Sequence, residues 1–80
     1  MNIIDIRDKS KYNISHIPNS INIEVYDLLY NTDKYLNKND TYYIYCTSGI
    51  TSGKVVNNLN NKGYHTVNID GGFNNYLLRK

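Results

Sequence analysis

Tyr42-Tyr43-Ile44-Tyr45-Cys46-Thr47-Ser48-Gly49-Ile50-Thr51-Ser52 is the stretch from which the fold can be read. Its Tyr- and Ile-rich start suits a pleated strand. The run ends on the one cysteine of the chain, and a short polar loop with a glycine then opens a helix whose Val55, Val56 and Leu59 share an apolar face. A strand that enters a helix through such a loop brings several backbone N–H groups, and the positive end of the helix dipole, to one point. Cys46 stands at that point. Convergent donors stabilise a thiolate and do nothing for a thiol, so they lower the pKa from about 8.5 toward neutrality. Spacing alone leaves a second reading open, a small buried hydrophobe followed by ordinary Thr, Ser and Gly turn chemistry.

The flanking segments supply the rest of a sheet. Asn2-Ile3-Ile4-Asp5-Ile6-Arg7 is a short apolar run with β-branched residues and a charged exit, as expected of a buried strand. Asp5 and Arg7, two apart, share a strand face, and by themselves suggest a surface ion pair of little worth. Pro18 biases Ile17 toward extended geometry and leads into a second short strand, Ile21-Asn22-Ile23. From Glu24 to Leu36, the apolar residues Val25, Leu28, Leu29, Tyr35 and Leu36 predict one or two short helical pieces interrupted at Asn31-Thr32-Asp33. Gly63 is placed to end the helix after the cysteine loop, Tyr64 to Asp70 reads as the last strand, and Gly71-Gly72-Phe73 turns into a terminal helix ending near Leu78. Strands alternating with helices predict an α/β fold of three layers. A small, mostly parallel sheet of about four strands lies between helices, with the site at the carboxyl ends of the strands.

Composition bounds the function. Residues 1–80 are expected to form one domain with a small core. The net charge of +2 is spread over lysines that form no run, which argues against a nucleic-acid partner, and the nine Tyr accompany Asn, Lys and Ile, residues of AT-rich codons. No apolar stretch approaches the roughly 20 residues of a membrane span. One cysteine allows no disulfide within the chain, and no leader-like pattern follows Met1, so a cytoplasmic location is expected. His16 could act as a general base or fix its loop; it has no metal-ligand spacing with His65, and neither a metal nor another cofactor is expected. Gly49-Ile50-Thr51-Ser52-Gly53-Lys54 has three residues between its glycines where a P-loop has four, and Val55 stands where magnesium needs a hydroxyl. Cysteine-dependent phosphatases need an arginine at the position of Ser52.

Three sets of residues resemble the rhodanese family. The segment from Cys46 to Thr51 is similar to its six-residue active-site loop, which begins with the catalytic cysteine and has glycine fourth. Thr51 replaces the arginine that many members carry at the sixth position, as in the Cys-x-x-Gly-Val-Thr loops of thiosulfate and mercaptopyruvate sulfurtransferases. Ile4-Asp5-Ile6-Arg7-Asp8, Tyr12, His16-Ile17-Pro18 and Ser20 resemble the N-terminal signature, with Ser15, Asn19 and Ser20 in place of its Gly, Gly and Ala. The Asp70-Gly71-Gly72 turn before the last helix is similar too, with Tyr76 about where the family has a Trp. The family's usual helix and strand before the Asp-x-Arg segment are missing, so the resemblance implies a trimmed version of the fold.

It also implies a sulfurtransferase. Cys46 would take sulfane sulfur from a donor such as thiosulfate or mercaptopyruvate, hold it as a persulfide, and pass it to cyanide, a small thiol or a protein acceptor. Backbone and hydroxyl groups of Thr47, Ser48, Gly49, Ile50, Thr51 and Ser52 would hold the anionic sulfur, with Asp5 and Arg7 in support. The loop carries no charge, so a dianionic donor needs a cation from elsewhere, Arg7 or Lys54. The family leaves His16 a structural role. An alternative is a non-catalytic binding or redox-sensing module on the same fold.

Overall fold

A computed structural model describes residues 1–80. Its elements are β1 (Asn2–Asp5), α1 (Lys9–Ile14), β2 (Ser20–Asn22), α2 (Val25–Tyr30), α3 (Thr32–Tyr35), β3 (Thr41–Tyr45), α4 (Ile50–Asn61), β4 (His65–Asn68) and α5 (Gly72–Arg79). The four strands form one sheet in the order β2-β1-β3-β4. Every pairing is parallel, with Ile4 beside Ile44 and Asp5 beside Tyr45 at the centre. The expected sheet was mostly parallel; it is wholly so, because each strand returns through a helix.

Alternation along the central strands separates two faces. Ile4, Tyr42 and Ile44 meet Leu28 of α2 and Val55, Val56 and Leu59 of α4 in one apolar cluster. α4 is rich in Asn, a poor helix former, so this packing is what holds it. The opposite face carries Asp5 and Tyr45, both fully buried, and Tyr45 stacks on Phe73 of α5 with ring centroids 6.4 Å apart. The Tyr45 hydroxyl accepts the Ile17 N–H and pairs with Ser20 Oγ, both at 3.1 Å, which ties the Pro18 loop to the sheet. Burial pushes the Tyr45 pKa up to about 12.

Three local outcomes differ from the sequence reading. α1 has no counterpart in it: Lys9–Ile14 buries no residue and shows no helical period. Helix α1 is held from outside, its first N–H donating to Glu24 Oε2 at 3.1 Å. Asp5 and Arg7 are not a surface pair, since their side chains are 0% and 6% exposed. β1 stops at Asp5 rather than Arg7, although Ile6 N–H still donates to the Tyr45 carbonyl at 3.0 Å. The break expected near Asn31 separates α2 from α3, with Thr32 Oγ1 donating back to the Leu28 carbonyl at 2.8 Å. No helix is long and apolar enough to cross a membrane.

Candidate active site

Cys46 follows the last residue of β3, and three residues of loop, Thr47 to Gly49, carry the chain from it into α4. The loop can turn this tightly because Gly49 adopts φ 91°, a left-handed conformation that side chains disfavour. Gly49 caps α4 without a side chain to satisfy the helix's free N–H groups. The cysteine sulfur takes that place. Sγ accepts the Gly49 N–H at 3.2 Å and the Ser52 N–H at 3.3 Å.

The loop is held so that its carbonyls point away from the sulfur. The Phe73 and Asn74 N–H groups at the start of α5 donate to the Cys46 and Thr47 carbonyls at 2.9 and 3.0 Å. Gly72 permits this approach: a Cβ there would lie 2.3 Å from the Cys46 carbonyl oxygen. With carbonyls bound behind, N–H groups face forward, as an anion site requires.

The thiol pKa lies below its ordinary value. Burial opposes ionisation; hydrogen bonding with Ser52, through its side chain and its N–H, and with the Gly49 and Ser48 N–H groups outweighs it. The residue is 8% exposed, at the wall of a cavity of about 190 Å³ lined by Ile6, Arg7, Asp8, Lys11, Cys46, Thr47, Ser48 and Thr51.

The expected site residues thus fall into three groups. Thr47, Ser48 and Thr51 line the cavity. Gly49 and Ser52 reach the sulfur through their N–H groups. Ile50 is 69% exposed and lies outside the cavity.

Arg7 reaches the cavity wall, with Nε and Nη2 of its guanidinium already committed. Nε donates to both Asp5 oxygens at 3.1 and 3.0 Å, and Nη2 donates to Asp5 Oδ2 and the Ser15 carbonyl, both at 2.7 Å. The group also lies 4.1 Å from the Phe73 ring centroid. Lys54 lies in a separate groove with Val25, Tyr26, Leu29 and Val55. The exposed cation at the cavity is Lys11, which sequence reading missed together with the helix that carries it. His16 stacks on Tyr12 at 3.8 Å, with Nδ1 2.7 Å from the Tyr12 carbonyl, away from the cavity. A second unforeseen residue is Asn68, whose Oδ1 accepts the Ser52 hydroxyl at 2.6 Å.

Comparison with known proteins agrees with this geometry. Residues 1–79 match the model of the rhodanese-like domain. The chain is 43% identical over 61 residues to the tRNA sulfurtransferase of Thermoplasma acidophilum, covering 76% of this chain and 12% of that protein. It is 35% identical over 71 residues to the adenylyltransferase and sulfurtransferase uba4 of Ogataea parapolymorpha, covering 88% and 18%. The chain therefore spans under a fifth of either relative. Among solved structures, a rhodanese-related protein from Thermoplasma volcanium superposes with a TM-score of 0.87 at 27% identity, over 98% of this chain and 77% of that one. A rhodanese-like domain protein from Staphylococcus aureus gives a TM-score of 0.81 at 36% identity, over 91% and 71%. A parallel sheet whose third strand delivers a cysteine to two backbone N–H donors, and a family match over nearly every residue, place this chain in the rhodanese-like domain family.

Proposed function

We propose that residues 1–80 act as one sulfurtransferase domain with Cys46 as the nucleophile. The observation that carries this is the pair of backbone N–H groups aimed at a sulfur on an open cavity. With thiosulfate as donor, the Cys46 thiolate attacks the outer sulfur; a new S–S bond forms, the donor's S–S bond breaks, and sulfite leaves with its electron pair. The enzyme is left as a persulfide anion. Cyanide or an external thiolate then attacks the terminal sulfur and departs with it, restoring the Cys46 thiolate. Dividing the exchange in two lets one set of donors stabilise the anionic sulfur in both steps.

The cavity favours lightly charged donors. Thr47, Ser48 and Thr51 offer hydroxyls, Lys11 offers one cation, and Asp8 opposes it. A dianion such as thiosulfate therefore binds weakly, and a monoanion such as mercaptopyruvate meets less repulsion. As Cys46 is the only cysteine among residues 1–80, a thiol acceptor lies outside them.

Intact-mass spectrometry after incubation with thiosulfate, and separately with mercaptopyruvate, tests the mechanism. The expected result is a gain of one sulfur atom, lost on adding cyanide and absent in Cys46→Ser. No gain from either donor, with Cys46 still readily alkylated, would overturn sulfur transfer in favour of a binding or redox-sensing module.

A further inference from the structure

The hydrogen bonds behind Cys46 have a single allowed direction. Asn68 Nδ2 donates to the Gly49 carbonyl at 3.1 Å and to Asp70 Oδ1 at 3.2 Å. Both partners accept only, so the amide cannot be reversed. Asn68 Oδ1 therefore faces Ser52 and must receive its hydroxyl hydrogen, across 2.6 Å. Ser52 has no other hydroxyl hydrogen to give. Across the 3.3 Å between Ser52 Oγ and Cys46 Sγ, the donor is then the thiol S–H. The row Cys46, Ser52, Asn68 runs one way, and it pairs every group only while Cys46 keeps its proton.

Ionisation breaks the row. A thiolate has no hydrogen to offer Ser52, and the Ser52 hydroxyl can serve the sulfur only by leaving Asn68 Oδ1 without a donor. Ser52 is fully buried and Asn68 half-buried, so water reaches the vacated place only at a cost. We propose that Asn68 is a positioning residue for Cys46: by claiming the Ser52 hydrogen it restrains ionisation, and only backbone N–H groups serve the sulfur unopposed. This rests on the proposed role of Cys46 as nucleophile. Its use there is to keep a free thiol from oxidation between turnovers while leaving the hydroxyl able to turn toward a sulfur that has become anionic.

The charged groups around Cys46 are Arg7, Asp8 and Lys11 at the cavity and Asp70 beyond Asn68. All are retained in the variants that follow. The test is the pH dependence of Cys46 alkylation by iodoacetamide in the wild type, Asn68→Ala, Ser52→Ala and the double variant. Removing the competitor frees the Ser52 hydroxyl for the thiolate. Asn68→Ala is expected to lower the midpoint by about half a pH unit, making alkylation below the midpoint roughly threefold faster. In the Ser52→Ala background the same substitution is expected to shift nothing. A midpoint that stays or rises in Asn68→Ala, or a shift that persists without the Ser52 hydroxyl, overturns the assignment. Asn68→Leu, of similar volume, repeats the test if the alanine variant does not fold; failure of both to fold would make Asn68 a structural residue and overturn it too. Alkylation needs no sulfur donor. Shifts of the expected kind in a protein that never gains sulfur would keep Asn68 in this role and remove only the sulfurtransferase proposal.

Discussion

The two central strands, β1 and β3, end side by side, Asp5 next to Tyr45, yet they deliver opposite chemistry. At the end of β1, a carboxylate and a guanidinium leave water together. Asp5 accepts from the Arg7 backbone N–H at 2.8 Å as well as from its side chain, and no buried side-chain polar atom lacks a partner. At the end of β3, a sulfur is given donors and no countercharge. A charge held this closely by its counter-ion is inert and holds structure. A group whose donors favour its charged form, with one side open to a cavity, is available for reaction. Arg7 borders both regions and serves the first.

Breaking the β1 side should have the largest effect. Asp5→Ala strands the Arg7 charge among Tyr45 and Phe73, and should destabilise the fold by about 3–5 kcal/mol, read by urea unfolding. Loss below 1 kcal/mol would mean that Arg7 finds water.

Gly72→Ala attacks the β3 side from behind. Its Cβ would meet the Cys46 carbonyl in a backbone conformation, φ 57°, that is already disfavoured for other residues. A loss of about 2 kcal/mol is expected. The midpoint of Cys46 alkylation should also rise, because the loop N–H groups lose their alignment.

The pH dependence sharpens the contrast. The Cys46 pKa in the folded protein lies below its unfolded value. The associated stability is fully present above the unfolded pKa and is lost as pH falls through the folded one. Urea unfolding of wild type against Cys46→Ser should therefore diverge as pH is raised through that window. Parallel curves would mean that the donors do not favour the thiolate.

The smallest effect belongs to Lys11. An exposed lysine at the cavity should aid an anionic donor only slightly, so Lys11→Ala should raise KM for thiosulfate about two- to fivefold, leave kcat unchanged, and lose its effect at high salt. An unchanged KM at low salt would assign donor binding to the loop alone.

The residues least legible in the sequence share a property: they act across long separations or without periodicity. Lys11 sits on a helix that buries nothing, so no apolar pattern marks it. Asn68 comes 16 residues after Ser52 and looks like any polar strand residue until β4 is placed beside β3. Arg7 and Asp5, two apart, were legible as a pair, but only the rings of Tyr45 and Phe73 show that the pair is buried. Gly71-Gly72 was legible as a turn, whereas its close approach to the cysteine loop was not.

By itself, the sequence determined the alternation of strands and helices, the parallel sheet that follows, and a lone cysteine at a strand end before a glycine-containing loop. Those are local properties, written in apolar spacing, β-branched runs and turn residues over windows shorter than a helix. Only the tertiary structure decided which charges are buried, which cation reaches the cavity, and which way the hydrogen bonds behind Cys46 run. Those depend on groups brought together from different elements, and the free energy of a charge or a hydrogen bond is set by what surrounds it in space.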